Sequence, residues 1–466
     1  MNKINTKQGP VQCKSIHELK WKKKLATDGF SVRDRLGPIL GPLIAEFQND
    51  SRERIYTPEV VVFSLVTGVL ACDTTLSAAV VRNNADRIFQ GLESASINTG
   101  PYSDARTRLA PEILTRASKQ MAADMHANTS ADPFWEGFLP YAIDGTTLTA
   151  DDTKANQIAF PQHGNQEEGS GFPLLRLVLL QSLQTGSVID LAYGKFQGKE
   201  TGEMALARQI IGALEKNALL LGDRYFPSYF LMVFLIQNGF HGLFQSHAAR
   251  DVDFRRGKQV GGGLDHIVEW DKPQRPTWMT QEQYDQYPEK ITLREAEISK
   301  KRGSDGRIVA VTTLLDGSRF SKSKLSKFYK KRWKIEMALK DLKDTFKMSH
   351  INAKTPEMVE KIIWAHILAY NILRWHMLNA AISFGSHIEN ISIKTAARVL
   401  VANKTAILMS QQLNRPALFA ALYEQMIGVP VGNRPGRSEP RAVKKRPKPY
   451  PRLQGRRNDW KQRAIA

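Results

Sequence analysis

Residues 139–152 read LPYAIDGTTLTADD, an apolar run that contains Asp144 and is closed by polar residues. Short apolar runs bounded by turn-forming residues are typical of β-strands. This stretch therefore predicts a strand that ends in a turn, with Asp144 at its end. Because open α/β sheets bind ligands at the carboxyl ends of their strands, Asp144 is also a candidate functional residue, although an isolated Asp after a strand is usually only a turn residue.

Four further strands and two helices are predicted downstream of this stretch. A QTG turn separates the second strand from the third, and a helix precedes each of the last two strands. Three strands followed by helix, strand, helix and strand predict an α/β core with a mixed five-stranded sheet flanked by helices. The predicted strands cover 139–152, 172–184, 186–196, 218–226 and 241–247, and the predicted helices cover 200–217 and 228–238.

The segments on either side of this core differ from it in composition. Strand-like stretches joined by Gly, Pro and charged turns predict a β-rich insertion, because the segment is too long for a plain loop. The predicted organisation is a flexible N-terminus at 1–30, a helical DNA-binding region at 31–132, the first part of the core at 133–247, the insertion at 248–318, the second part of the core at 319–375, a C-terminal helical region at 376–430 and a basic Pro/Arg-rich tail at 431–466.

Positive charge is concentrated in two segments of the chain. The 466 residues carry a formal net charge of +20. Segment 319–347 contains eleven Lys or Arg against three Asp or Glu, and segment 434–463 contains twelve against two. Charge this focused predicts a polyanionic partner, most simply nucleic acid. An anionic membrane is the weaker alternative, because neither a lipidation motif nor an amphipathic membrane helix accompanies the basic tail.

The remaining totals narrow the class of protein. Apolar content of 42% and aromatic content of 9% are those of a globular protein. Cys13 and Cys72 are the only cysteines, so neither a disulfide framework nor a cysteine metal cluster is expected. The sequence shows no signal peptide and no apolar run of membrane-spanning length. We therefore expect a cytoplasmic, nucleoid-associated protein.

A second functional pattern lies in residues 328–346, FYKKRWKIEMALKDLKDTF. On a helix of about 3.6 residues per turn, Tyr329, Arg332, Glu336 and Lys343 fall on one stripe about 60° wide. The neighbouring stripe is apolar, so the helix is predicted to pack along one edge and to display the polar row beside it. Taken alone, mixed charges at this spacing are also typical of a solvated helix without function.

Three acids on separate elements, Asp144, Asp223 and Glu336, form the candidate catalytic site. Asp223 ends the fourth predicted strand, in the same kind of position as Asp144. Three carboxylates brought together require a counter-ion, and Mg²⁺ or Mn²⁺ prefers oxygen ligands. Two such ions could activate a water or a 3′-hydroxyl and stabilise the leaving oxygen of a phosphodiester. Asp151 and Asp152 are alternative acids, although a hairpin turn is the expected role of both.

The spacing within the predicted helix resembles a known signature. In YKKRWKIEMALKDLK, Tyr is followed after two residues by Arg, after three more by Glu and after six more by Lys. This pattern resembles the signature of DDE transposases of the insertion-sequence-four type. Asp144 in AIDGTT and Asp223 in GDRYF match the two Asp positions of that family, and YSDARTRLAPEIL and ETGEMALARQI also resemble it. The likeness extends from about residue 35 to about residue 375.

The resemblance implies a fold, a site and an activity. It implies an RNase H-like catalytic domain in which Asp144, Asp223 and Glu336 are the catalytic residues and hold a pair of Mg²⁺ ions, or Mn²⁺ in their place. It implies cut-and-paste movement of an insertion sequence, with strand cleavage at the inverted-repeat ends and strand transfer into target DNA. A homodimer on paired transposon ends is implied as the synaptic complex.

The same resemblance assigns DNA contacts. Tyr329, Arg332 and Lys343 carry over as phosphate-contacting residues near the transposon end. In some relatives an aromatic residue of the insertion stacks on a flipped base, and Trp270 and Trp278 are candidates by location. Packing beneath the insertion is the alternative role of each Trp.

Two other functions stay open on the sequence. A catalytically inactive or repurposed transposase would bind the inverted repeats without cutting them, and a nuclease would cut them without strand transfer. The presence of all three acids favours an active enzyme. The basic tail could bind DNA non-specifically or could only keep the protein in solution.

Overall fold

The computed structural model describes residues 32–48, 54–127, 129, 135–247, 249–260, 262–300, 307–409 and 415–429. The predicted flexible N-terminus and the basic tail lie outside the described residues. The architecture is mixed α/β. The strands are β1 Leu139–Ala150, β2 Leu174–Ser182, β3 Val188–Lys195, β4 Ala218–Gly222, β5 His241–Gln245, β6 Lys258–Gln259, β7 Asp265–Asp271, β8 Lys290–Lys300, β9 Arg307–Thr312 and β10 His350–Ile351.

Helices flank the strands and make up both ends of the described chain. They are α1 Val32–Phe47, α2 Pro58–Leu70, α3 Leu76–Phe89, α4 Gly100–Arg108, α5 Pro111–Ala127, α6 Lys154–Ala159, α7 Glu203–Ile210, α8 Tyr229–Gln237, α9 Gln281–Asp285, α10 Lys322–Tyr329, α11 Trp333–Lys340, α12 Pro356–Ser383, α13 Ile393–Ala402, α14 Lys404–Met409 and α15 Arg415–Gly428. None of the helices in the described ranges has the length and apolar content needed to cross a membrane.

The ten strands form one mixed sheet. Their spatial order is β3-β2-β1-β4-β5-β9-β8-β7-β6, and β10 pairs with the far end of β1. Strands β1, β4 and β5 are parallel, whereas β2 is antiparallel to β1 and β3, and β9 is antiparallel to β5. The predicted sheet of five strands was too small, because β9 pairs with β5 and the strands of the predicted insertion continue the same sheet.

Burial explains why β4 and the start of β1 lie in the centre of the sheet. All five residues of β4 are buried, and so are residues 140–143 of β1. Strands covered on both faces read as continuous apolar runs, as these two do. The side chains of β1, β2 and β4 form one apolar core with those of α7 and α8. From Asp144 onward β1 becomes partly exposed, so this residue lies where the strand leaves the core.

β1 changes partner along its length. Residues Leu139–Ala142 pair with β4, whereas Thr149 and Ala150 pair with β10. Between them, residues 143–148 have no strand partner on that side in the part of the chain that the structure describes, because β4 ends at Gly222. The carboxyl end of β4 therefore opens onto the exposed edge of β1, at the kind of position where α/β sheets bind ligands.

The segment predicted to be β-rich forms β6 to β9 and the short helix α9. Its interior contains a buried ion pair between Arg294 and Asp265, whose side chains are 0% and 2% exposed. Arg294 donates from Nε and Nη2 to the two carboxylate oxygens, at 2.8 and 2.7 Å. Its Nη1 donates to the carbonyl oxygen of Phe320 at 2.7 Å. Since Phe320 lies just before α10, this arginine ties the insertion to the start of that helix.

The described chain divides into two compact units. One unit contains the described residues up to Ile113 and those from Ile372 onward, and it is built from helices. The other contains Leu114–Asn371, including the whole sheet. The unit boundaries fall within α5 and α12, so each of these helices contributes residues to both units.

His376 is a buried titratable group of the helical unit. Its ring is stacked with Phe419, with centroids 5.9 Å apart, and its Nδ1 lies 3.2 Å from the hydroxyl of Tyr423. Burial lowers the pKa of His376 to about 3, and the nearby Arg35 cation acts in the same direction. The folded protein therefore holds this imidazole neutral at pH values where an exposed histidine is charged.

We expect the free energy of unfolding to fall as the pH drops from about 6.5 towards 3, because unfolded His376 then binds a proton that the folded residue does not. The contribution of this residue is at most about 1.4 kcal/mol per pH unit. Replacing His376 with Gln should flatten the dependence, measured as urea unfolding at several pH values. The same change at exposed His387 should leave it unaltered. An identical slope for the His376→Gln protein would contradict this account.

Candidate active site

Asp144 and Asp223 lie side by side at the carboxyl end of the sheet. The parallel pairing of β1 with β4 ends at Ala142 opposite Leu221, and each aspartate lies two residues beyond that pair. Neighbouring strands are roughly 4.8 Å apart. The register therefore brings the two predicted aspartates together, although 79 positions separate 144 from 223 in the sequence.

Asp144 is largely buried, with 17% of its side chain exposed. Its Oδ1 accepts a hydrogen bond from the backbone N–H of Gly145 at 2.8 Å. Burial raises the pKa of Asp144 to about 6, and the negative charges of Asp223 and Glu203 act in the same direction, opposed by the Gly145 N–H and by Arg332. A carboxyl group in this environment gains stability as a carboxylate when a cation is nearby.

Asp223 follows the last residue of β4. Its Oδ1 accepts a hydrogen bond from the backbone N–H of Tyr225 at 2.8 Å, which orients the carboxylate at the end of the strand. Arg224 is exposed and lies over the ring of Tyr225, 5.3 Å from its centroid. The basic neighbour of this aspartate therefore faces solvent.

The predicted helix at 328–346 consists of four successive helical pieces. The Ser321 hydroxyl accepts the N–H of Lys324 and caps α10. A 3₁₀ turn at Lys330–Arg332 joins α10 to α11, and a π-helical turn at Asp341–Thr345 follows α11. The prediction of one regular α-helix was therefore wrong at these two turns, because contacts with the sheet hold the segment on either side of α11.

Tyr329 and Lys343 make those contacts. The Tyr329 hydroxyl donates to the carbonyl oxygen of Gly222 at 3.1 Å, and the Lys343 ammonium donates to the Thr146 hydroxyl at 3.1 Å. Tyr329 is only 8% exposed, and burial raises its pKa to about 12. In this structure its hydroxyl ties the helical segment to the end of β4, whereas Lys343 reaches the exposed edge of β1.

Arg332 lies between two of the predicted acids. Its Nη2 is 2.5 Å from Oε1 of Glu336, and its Nη1 is 3.9 Å from Oδ2 of Asp144. Glu336 therefore reaches the same site as Asp144, but a guanidinium separates the two carboxylates. Within the described ranges, no three His, Cys, Asp or Glu side chains are grouped closely enough to hold a metal ion.

The two tryptophans considered for base stacking each lie against an arginine. Trp270 is 3% exposed, and the guanidinium of Arg250 lies 3.4 Å from the centre of its ring. Trp278 lies under the guanidinium of Arg208, at 3.9 Å. Trp270 therefore has a packing role. Trp278 is partly exposed and packs against the guanidinium of Arg208.

Two residues of the site have no place in the sequence prediction. Trp333 follows Arg332 directly and is 59% exposed. Glu203, the first residue of α7, packs its carboxylate against Gly145. An exposed aromatic residue within a basic segment was a usable signal for Trp333, whereas an acid in the first turn of a helix is too common to single out Glu203.

The paired aspartates and the basic helical segment across them are features of a DDE-type polynucleotidyl transferase, and that is the class of this protein. Residues 136–372, about half of the chain, match the family described as Transposase DDE domain. The chain belongs to this family, and it is a DNA transposase of the insertion-sequence-four type.

Known transposases resemble the chain to different extents. Transposase InsG for insertion sequence element IS4 of Escherichia coli (strain K12) is 26% identical over 355 residues, which cover 74% of this chain and 76% of InsG. Putative transposase InsZ of the same organism is 25% identical over 138 residues, or 29% of this chain and 45% of InsZ. A cryo-EM structure of the piggyBac transposase synaptic complex with hairpin DNA aligns at 13% identity over 93% of this chain and 90% of that chain, with a TM-score of 0.41.

Proposed function

We propose that this transposase moves an insertion sequence by a cut-and-paste reaction, with strand cleavage at the inverted-repeat ends and strand transfer into target DNA. The proposal depends on one observation above all. Asp144 and Asp223 leave adjacent strands at one point of the sheet, and the segment that carries Glu336 crosses that point with Arg332 and Lys343 directed at β1.

An RNase H-like core goes with this proposal. The order β3-β2-β1-β4-β5 and the directions of the strands support it, because three antiparallel strands are followed in space by two that run parallel to β1. The two aspartates then lie on the central strand and just beyond the end of its parallel neighbour. Strands β6 to β9 extend this core on the side of β5.

The acids have the chemistry of a site for Mg²⁺ or Mn²⁺, although Arg332 holds Glu336 apart from Asp144 in this structure. Asp144, Asp223 and Glu336 offer only carboxylate oxygens, the ligands that these cations prefer. Burial raises the pKa of Asp144, so its carboxylate would gain from a divalent cation bound beside it. A pair of such ions would supply an activated attacking oxygen and stabilisation of the leaving oxygen.

The basic residues of the site hold the DNA backbone in this proposal. Arg332 and Lys343 would bind the phosphates beside the reacting one, and guanidinium groups bind phosphate in bidentate fashion. Because Arg332 pairs with Glu336 here, a phosphate that takes over the guanidinium would free the glutamate to join Asp144. Tyr329 positions the segment through its bond to Gly222 and is the least accessible of the three predicted DNA contacts.

The outer face of the helical segment supports a longer DNA path. Lys327, Lys330, Lys331 and Lys340 are exposed along α10, the 3₁₀ turn and α11. Clustered lysines of this kind bind the backbone without reading sequence. The exposed ring of Trp333 lies among them and is suited to stacking on an unpaired base.

The partners follow from the reaction. Transposon-end DNA and target DNA are the substrates, and a homodimer would bring two ends together. A cytoplasmic location in association with the nucleoid would bring the protein to these DNA substrates.

The test is a linear duplex that carries the inverted repeats of the element, incubated with the protein, Mg²⁺ and a target plasmid. Joined products are expected. Hydrolysed ends alone would indicate a nuclease without strand transfer. Binding without any metal-dependent cutting would indicate an inactive DNA-binding protein.

Arg332→Ala should weaken binding to the transposon end and flatten its salt dependence. Each lost phosphate contact lowers the slope of log K against log salt by about one unit. The measurement is a fluorescence anisotropy titration at several salt concentrations in Ca²⁺, with Arg398→Ala as the control because Arg398 is exposed on α13, in the helical unit. An unchanged slope for the Arg332 variant would remove this residue from phosphate binding.

A further inference from the structure

Glu203 occupies a position that only a glycine at 145 permits. A Cβ atom on Gly145 would lie 2.5 Å from Oε1 and 2.6 Å from Cδ of Glu203. Distances this short are not tolerated between non-bonded atoms, so the carboxylate packs directly on the backbone beside Asp144. No side chain larger than hydrogen fits between the backbone at position 145 and the Glu203 carboxylate.

Three features fix the start of α7 and hence this carboxylate. The helix packs against β1, β2 and β3, with Leu206 and Ile210 buried in the core. Arg176 of β2 donates from Nη1 to the carbonyl oxygen of Thr201 at 3.1 Å, two residues before Glu203. The same guanidinium lies over the ring of Phe196, 4.6 Å from its centroid. The acid is therefore held by the sheet and does not hang freely in solvent.

Glu203 interacts electrostatically with both aspartates of the site. Burial raises the pKa of Glu203, Arg176 opposes this, and Asp223 adds to it. Asp144 lies within electrostatic range of both Asp223 and Glu203. Two arginines lie near these acids. Arg176 of β2 acts on Glu203, and Arg332 of the 3₁₀ turn lies beside Asp144. Like charges held this close gain from a shared cation.

We propose that Glu203 is a fourth acidic residue of the divalent-cation site, a positioning residue whose carboxylate accepts hydrogen bonds from the water around a cation bound by Asp144 and Asp223. The inference rests on the proposed function, since it assumes that the two aspartates bind the metal. Outer residues of this kind orient the ligands and add to metal affinity. Gly145 is then required because any side chain there would displace the glutamate.

The test measures Mn²⁺ binding to the full chain without DNA, by electron paramagnetic resonance of the free ion. Glu203→Gln keeps the size of the side chain and removes its charge, and we expect it to weaken Mn²⁺ affinity by about 10-fold or more. Asp144→Asn should weaken it at least as much. Glu168→Gln, at an exposed acid of the loop before β2, should bind Mn²⁺ like the unaltered protein.

The Mn²⁺ affinities of the two variants distinguish the role of Glu203 from the metal site itself. Reduced affinity for Asp144→Asn with unaltered affinity for Glu203→Gln would overturn the role of Glu203 and leave the proposed function standing. Unaltered affinity for Asp144→Asn would overturn the metal site itself, and the role of Glu203 with it. Thermal unfolding of each variant shows whether a loss of affinity comes from a loss of fold.

A second pair of variants tests the packing of Glu203 on Gly145. Gly145→Ala should weaken Mn²⁺ binding because the new methyl group displaces the glutamate. In a Glu203→Ala background the atoms that would clash are gone, so adding Gly145→Ala should cause no further loss. An equal loss in both backgrounds would show that position 145 acts on Asp144 directly, and it would overturn the proposal.

Discussion

Replacing Asp144 with Asn is expected to slow cleavage of a transposon-end duplex by at least about 10³-fold, which corresponds to about 4 kcal/mol of lost transition-state stabilisation. The amide oxygen can still accept the N–H of Gly145, so the local structure should persist. What is lost is the charge that a divalent cation requires. Single-turnover cleavage of a labelled duplex in Mg²⁺ measures the effect, and a mobility-shift assay shows whether the variant still binds the duplex.

The matched control is Asp152→Asn. Asp152 is exposed just after β1, and its Oδ1 accepts a hydrogen bond from Gln157 at 2.8 Å. This variant should cleave at the rate of the unaltered protein, because its carboxylate is engaged outside the site. Equal rates for the Asp144 variant and the unaltered protein would exclude Asp144 from catalysis.

Asp265→Ala is expected to lower the free energy of unfolding by about 3–5 kcal/mol. The substitution leaves the guanidinium of Arg294 fully buried without its carboxylate partner. Because Arg294 also binds the carbonyl oxygen of Phe320, just before α10, cleavage activity should fall as well. Unfolding in guanidinium chloride, followed by circular dichroism, measures the loss of stability.

Two further variants separate this effect from a general sensitivity of the insertion. Lys290→Ala removes an exposed cation that pairs with Glu269 at 3.3 Å and Asp271 at 3.7 Å, and stability should stay near that of the unaltered protein. The double change Asp265→Leu with Arg294→Met should cost less than Asp265→Ala alone, because no buried charge is left unpaired. A cost for Asp265→Ala as small as that of the Lys290 change would contradict the argument.

Local sequence patterns predicted the strands around the site but not how those strands pair. The apolar run of β4 and the first half of β1 identified both strands, because a strand buried on both faces must be continuously apolar. The number of strands in the sheet could not be predicted from such apolar patterns. Pairing of β9 with β5 is made by backbone groups, which every residue possesses, so the sequence pattern does not reveal which strands share a sheet.

Sequence patterns also failed to predict the interruptions within the helical segment at 328–346. Residues 328–346 contain neither Gly nor Pro, so nothing local marks the 3₁₀ turn or the π-helical turn. These turns accompany the bonds of Tyr329 to Gly222 and of Lys343 to Thr146. Both partners lie more than 100 positions away in the sequence, and their separation in space depends on the packing of the entire sheet.

The amino-acid sequence by itself determined the α/β character, the location of the basic segments and the three acids that merit attention. Each of these depends on a short stretch of sequence: the periodicity of apolar residues, the density of charged residues or the spacing of residues along a helix. Only the tertiary structure decided that Arg332 stands between Asp144 and Glu336, that Trp270 is covered and that Glu203 packs against Gly145. Such contacts join residues that are distant in the chain, and they depend on the free energy of the whole packed core rather than on any short stretch of sequence.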